Sequence, residues 1–232
     1  MLVTAEKIKE QVLKTGEMLI RGGLVTGTSG NISARVPGER LFVITPSGIP
    51  YDQMKINDLV LVDDSGNTVD GERRPTTEWR MHLAIYGVRA DVEAVVHTHS
   101  VFASALAVAG KTLPPILEDM AQLVGGEVPL AGYARAGTAK LAAAAAETLG
   151  RSNAVLLANH GLAGVGRDVD EAYQVCLVVE KAARVYAWAS LLGNVKPIAP
   201  EDVKVLRDGF VNDYGQPGGD SLSLFEFDRR GG

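Results

Sequence analysis

The sequence predicts one α/β domain in which helices cover a largely antiparallel or mixed sheet. Two observations lead there. Stretches with helical and strand periodicity interleave along the chain, and several short apolar runs are joined by turn-rich segments suited to hairpins. With 46% apolar and 22% charged residues in 232, the chain matches an ordinary globular composition and can fill a core. No internal repeat or linker divides it. The expected domain runs over 1–215, with 216–232 as a mobile tail.

The elements follow in order. Residues 4–21 carry Ile8, Val12, Leu13, Leu19 and Ile20 at helical spacing, with Thr4 as the expected cap and Gly22-Gly23 as the stop. Residues 24–35, rich in Gly, Thr, Ser and Asn, read as a loop. Short strands are expected at 41–44 and 59–62. Pro46-Ser47-Gly48 follows the first, and Asp63-Asp64-Ser65-Gly66-Asn67, a hairpin turn, follows the second. Pro75-Thr76-Thr77-Glu78 opens a helix to about residue 87, with Thr77 as cap and Glu78 in its first turn. A buried strand is expected at 94–98, helices at 100–109 and after Pro115, and an alanine-rich helix at 138–149. Strands at 154–158 and 162–165 precede a long helix capped by Asp168 and ended by Gly193. The tail from Asp208, rich in Gly and Asp, reads as partly mobile.

Composition narrows the function classes. A net charge of -5 and a pI near 5.4 argue against a nucleic-acid binder, which needs a basic face for phosphates. No run of about 18 apolar residues suggests a membrane span, and residues 1–10 lack the apolar stretch of a secretory signal. The expected location is the cytoplasm. A single cysteine, Cys176, excludes an internal disulfide and a multi-cysteine zinc site. A metal would need histidines and carboxylates.

The chain has four histidines. His97-Thr98-His99 ends an apolar strand, where positions i and i+2 share a face, so both imidazoles can reach one ion. His160 lies at the end of another buried strand. Three histidines with an open position make a catalytic zinc arrangement, and the same nitrogen donors suit manganese, cobalt or iron(II). His82 is assigned to packing or hydrogen bonding. Glu78, at a helix start where the dipole favours a carboxylate, could move a proton if it faces the metal. Gly27-Thr28-Ser29-Gly30-Asn31 and the helix start at Thr76-Thr77 offer free N–H groups and hydroxyls to an anion. Each alone is an ordinary loop or cap, and neither has the spacing of a P-loop or a dinucleotide fingerprint.

In order, the motifs are Thr28-Ser29-Gly30-Asn31, Thr45-Pro46-Ser47-Gly48, Pro75-Thr76-Thr77-Glu78, His97-Thr98-His99 and Asn159-His160-Gly161. This succession resembles the class II aldolase/adducin family, and within it the L-fuculose-1-phosphate aldolases. The resemblance implies a three-layer α/β/α sandwich around a mostly antiparallel sheet, and a homotetramer with active sites shared between subunits. It implies His97, His99 and His160 as ligands of Zn2+, with Mn2+ or Co2+ as alternatives. It implies Glu78 as the acid/base, which also touches the metal when no substrate is bound. Thr28, Gly30, Asn31, Ser47, Gly48, Thr76 and Thr77 match substrate and phosphate positions.

One departure stands out. Where the aldolases place a tyrosine from the neighbouring subunit, this chain has Glu118-Asp119, either of which would be the second acid/base group. Tyr214 matches a tyrosine of the aldolases' C-terminal tail. The implied reaction is cleavage of a phosphorylated ketose to dihydroxyacetone phosphate and a small aldehyde, through an enediolate. Alternatives on the same site are 4-epimerisation of a pentulose 5-phosphate, dehydration of methylthioribulose 1-phosphate and decarboxylation of a sugar-acid phosphate. A non-catalytic adducin-like module is the alternative of a different class.

Overall fold

A computed structural model describes residues 2–213. The first helix, α1 (Leu2–Arg21), already includes Thr4, which is therefore not its cap. Eight strands then form one sheet: β1 (Asn31–Arg35), β2 (Leu41–Ile44), β3 (Val60–Asp63), β4 (Thr68–Asp70), β5 (Ala94–Thr98), β6 (Leu130–Ala131), β7 (Ala154–Leu157) and β8 (Gly161–Gly166). Their spatial order is β4-β3-β2-β1-β5-β8-β7-β6. Every neighbouring pair is antiparallel except β6 and β7. The parallel pair needs a crossover, which helix α5 (Ala139–Leu149) supplies.

Alternation along the strands feeds two cores. Ile32, Ala34, Val43, Leu61, Ala94, Val96, Leu156 and Leu162 point to one face. There α1 packs with α3 (Val101–Val108), α4 (Glu118–Val124) and α6 (Val169–Leu192). Phe42, Ile44, Val60, Val62, Val95, Val155, Ala163 and Val165 point to the other, under α5 and α2 (Trp79–Val88). The result is a three-layer α/β/α sandwich around a mostly antiparallel sheet.

The structure corrects several sequence expectations. Residues 31–35, read as part of a loop, are β1, which lies between β2 and β5 in the sheet. Its polar residues hid it: Asn31 and Ser33 lack the bulk that favours strands, but both are buried and hydrogen-bonded to residues of the α2 segment. Helix α2 begins at Trp79, so Glu78 rather than Thr77 takes the cap position, with its side chain turned to other partners. The strand expected at 154–158 stops at Leu157. No element is expected between Gly193 and Asp208, but residues 200–213 form α7 (Pro200–Asp213). Pro200-Glu201-Asp202 is a helix-start pattern that accounts for it. Other expectations hold. Asp63 Oδ1 accepts from the Ser65 and Asn67 N–H groups to close the β3–β4 turn, and Asp168 caps α6 through the Glu171 N–H at 2.7 Å. Among the described residues no helix is long and apolar enough to cross a membrane.

One buried carboxylate ties two helices of the same layer next to the strand end that carries the histidines. Glu180 of α6 accepts from the backbone N–H groups of Phe102 and Ala103 at 2.9–3.1 Å. It does at α3 what the Ser100 side chain does not, since Ser100 makes no cap bond. A carboxylate there satisfies unpaired donors and complements the helix dipole. Glu180→Ala is expected to lower stability by about 1–3 kcal/mol, since buried N–H groups lose their acceptor. Urea unfolding checks this, and an unchanged midpoint would remove Glu180 from that role.

Candidate metal centre

Three elements deliver four side chains to one point. Strand β5 brings His97 and His99 on the same side. The turn between β7 and β8 brings His160, and the residue capping α2 is Glu78. One ligand atom from each lies within 4.8 Å of all the others. The three imidazole rings meet edge to face, with centroids 4.7–4.9 Å apart and interplanar angles of 66–71°. The expectation that His160 ends a strand is modified: it sits in the hairpin turn after Asn159, whose φ of 56° is a left-handed conformation that asparagine tolerates.

Backbone contacts fix the ligand orientations. His97 Nδ1–H donates to the Leu162 carbonyl at 2.9 Å across the β5–β8 pair, leaving its Nε2 lone pair for the site. That Nε2 stands 2.9 Å from His99 Nε2 and 3.3 Å from Glu78 Oε2. His160 Nε2 lies 3.5 Å from Glu78 Oε1. Glu78 Oε1 is buried and accepts no hydrogen bond. Three imidazole nitrogens facing one another and a carboxylate oxygen left without a donor are what a divalent cation would satisfy, so the residues fit a metal.

The electrostatics agree. Burial would push the Glu78 carboxyl up. The His97 imidazole beside it, then His160 and the Asn31 amide, outweigh burial and hold the group well below the usual carboxylate range. His99 and His160 are each lowered to about 4, first by burial and then by the neighbouring imidazoles, against the opposing pull of Glu78. Neutral imidazoles and an ionised carboxylate are the ligating forms.

Around this point the sheet gathers the other expected residues. Asn31 of β1 is the Cα partner of His97 in the β1–β5 register, and its Nδ2–H donates to Glu78 Oε2 at 3.0 Å. Gly30 packs so closely that a Cβ would lie 2.6 Å from the His97 carbonyl oxygen. The Thr45–Gly48 turn and the Pro75–Glu78 segment are joined by Thr76 N–H to the Thr45 carbonyl and Ser47 N–H to the Arg74 carbonyl, both at 2.9 Å. Thr28, Ser47, Gly48 and Thr77 are exposed, and Thr76 is buried. Glu118 and Asp119 stand apart from the four ligating groups, at the start of α4, where Asp119 pairs with Lys181 of α6 and Glu118 is exposed. Tyr214 lies outside the described residues.

Three side chains near the site have no role assigned from the sequence: Thr45, Ser33 and Tyr86. Thr45 Oγ1 accepts from the Ile32 N–H. His82, expected to serve packing or hydrogen bonding, does bond to Asn31 and Ser33, and Ser33 in turn bonds to the Tyr86 hydroxyl. A signal existed: Glu78, His82 and Tyr86 recur at intervals of four, forming a polar stripe on a helix that is otherwise apolar except for the exposed Arg80.

Gly161 opens β8 against the β5 end. A Cβ there would lie 2.3 Å from the Thr98 carbonyl oxygen and 3.1 Å from the His99 ring. Gly161→Ala is therefore expected to displace His99 and weaken metal affinity roughly tenfold or more. Titration of the metal-stripped variant checks this, and an affinity equal to that of the parent protein would show that the contact is not limiting.

Comparison with known proteins places this geometry. A 5-deoxy-D-ribulose 1-phosphate aldolase of Bacillus thuringiensis serovar kurstaki is 36% identical over 211 residues, covering 91% of this chain and 98% of the relative. An L-fuculose phosphate aldolase of Escherichia coli strain K12 is 33% identical over 205 residues, covering 88% and 94%. The solved structure of an L-fuculose 1-phosphate aldolase superposes with a TM-score of 0.86 at 36% identity, covering 88% of this chain and 96% of that one. The model of the class II aldolase and adducin N-terminal domain matches residues 10–187, and with its sandwich fold and its histidine–glutamate cluster the chain belongs to that family.

Proposed function

We propose that this protein is a divalent-metal aldolase that cleaves a ketose 1-phosphate between C3 and C4, giving dihydroxyacetone phosphate and a short aldehyde. The observation that carries the reading is the convergence of His97, His99, His160 and Glu78, with Glu78 Oε1 buried and lacking a hydrogen-bond donor. In this reading His97, His99 and His160 hold the ion, with Glu78 beside them when no substrate is bound, and zinc is the favoured metal. When bound, the ion supplies Lewis acidity to substrate oxygens as charge develops on them.

The chain's own residues supply the rest. The phosphate is assigned to the rim formed by the exposed Thr28, Ser47, Gly48 and Thr77 and the half-buried Gly30, with the buried Thr76 below it, where N–H groups and hydroxyls face an anion. Asn31 has one Nδ2–H committed to Glu78 and its Oδ1 to His82, which leaves one N–H for substrate. Glu78 carries the proton to and from C3. The proton on the C4 oxygen is assigned to Glu118 or Asp119 of a neighbouring subunit in a homotetramer. Glu118 is exposed, and the surface ion pair of Asp119 with Lys181 is weak enough, at about 0–1 kcal/mol, to open. Tyr214 is a further candidate at the same place.

The relatives support a deoxy-ketose 1-phosphate as the substrate class. A five-carbon 5-deoxy substrate would release a two-carbon aldehyde, and a six-carbon one a three-carbon aldehyde. The test is a panel of ketose 1-phosphates and pentulose 5-phosphates, with metal content measured on the same preparation. Aldehyde release from the 1-phosphates with stoichiometric metal is expected. Isomerisation of a pentulose 5-phosphate without cleavage would overturn the aldolase reading. Glu78→Gln is expected to keep the metal and to lose proton exchange at C3 of dihydroxyacetone phosphate by roughly 100-fold or more. Exchange at the parent rate would remove Glu78 as the base.

A further inference from the structure

Behind Glu78, away from the ligand nitrogens, runs a line of buried polar side chains. His82, Ser33 and Asn31 are buried to 0–3% exposure, and Tyr86 to 5%. Asn31 Nδ2 lies 3.0 Å from Glu78 Oε2, and Asn31 Oδ1 lies 2.5 Å from His82 Nε2. His82 Nδ1 lies 2.7 Å from Ser33 Oγ, which lies 2.8 Å from the Tyr86 hydroxyl.

The direction of every bond in this line can be deduced. An ionised carboxylate only accepts, so Asn31 must turn its NH2 toward Glu78 and its carbonyl oxygen toward His82. That oxygen also only accepts, so His82 must carry its proton on Nε2. Its Nδ1 is then an acceptor and takes the Ser33 hydroxyl proton. Ser33, having donated, accepts from the Tyr86 hydroxyl. Four donors in series point at one carboxylate oxygen, and such chains polarise one another in a buried setting. Burial, with the nearby His97 imidazole adding to it and Glu78 opposing, lowers His82 to about 3 and keeps its imidazole neutral.

We infer that His82, backed by Ser33 and Tyr86, is a positioning residue for the Glu78 base: it locks the Asn31 amide so that Glu78 Oε2 is held from behind and Oε1 faces the reacting centre. This rests on the reading of Glu78 as base. Without His82, the Asn31 amide is free to rotate its oxygen toward the carboxylate, where two acceptors repel, and Glu78 loses its fixed orientation. His82 itself touches neither the ligand nitrogens nor the phosphate rim, and the Asn31 N–H left for substrate is one contact among several, so its loss falls on the proton-transfer step first and only slightly on substrate affinity.

The test uses the metal-loaded enzyme. His82→Phe keeps a ring of similar size and removes both hydrogen-bonding nitrogens. It should lower kcat and C3 proton exchange roughly 10- to 100-fold, the usual cost of removing such a supporting partner, with KM within about threefold of the parent and metal stoichiometry unchanged. His82→Gln, which can still donate to Asn31, should restore part of the loss. In a Glu78→Gln background, His82→Phe should cause no further fall, because the two residues act as one unit. A kcat within about twofold of the parent, a loss confined to KM or metal content, or an equal loss in the Glu78→Gln background would each overturn the assignment. If His82→Phe fails to fold, Tyr86→Phe and Ser33→Ala carry the same test: a lower kcat at constant KM supports the role, and an unchanged kcat in both rejects it. A fully active Glu78→Gln defeats the base reading and this inference with it. An inactive Glu78→Gln beside an unaffected His82→Phe defeats this inference alone.

Discussion

The antiparallel register of β1, β5 and β8 is the constraint on which the rest depends. It sets Asn31 opposite His97, and His97 opposite Ala163. It also brings the Leu162 carbonyl to His97 Nδ1 and the turn before Gly161 beside the end of β5. A slip of one residue in a strand reverses every side chain between its faces. Here a slip would turn His97 into the layer under α3 and α6 and Val96 toward the site. The apolar alternation that builds the two cores therefore also aims the metal ligands.

Close packing makes that register tight. Glycine at 30 and at 161 lets backbone and ring approach to distances no Cβ allows. Both positions border His97 or His99. Glu180 anchors the start of α3 directly after these histidines, so the strand end is held on its far side as well. The ligands sit on elements fixed from several directions, which suits a site that must keep its geometry when the ion or substrate leaves.

The polar groups buried near the site form two sets with different roles. One set faces inward and converges on the ligand point, where Glu78 Oε1 has no donor. The other runs behind Glu78 from Tyr86 to Asn31 and is paired at every link. Burying a polar group without a partner is costly. The second set is compatible with a stable core because it is complete, and the first because a cation would complete it.

The sequence by itself determined which chemistry was present. Strand-end spacing placed His97 and His99 on one face, scarce cysteine turned attention to histidine, and five motifs in order pointed to one family. It also determined the outline of α1 to α6, because apolar periodicity is local, whereas α7 and the true caps of α1 and α2 were not legible in it. Only the tertiary structure decided that residues 31–35 are a strand. Local propensity counts Asn31 and Ser33 against a strand, whereas their partners, Glu78, His82 and Tyr86, come from 45 or more positions away. The same holds for Glu78 at the cap of α2 and for His82 behind it: their roles arise from long-range pairing that brings α2 over β1, a relation that no short window of sequence contains.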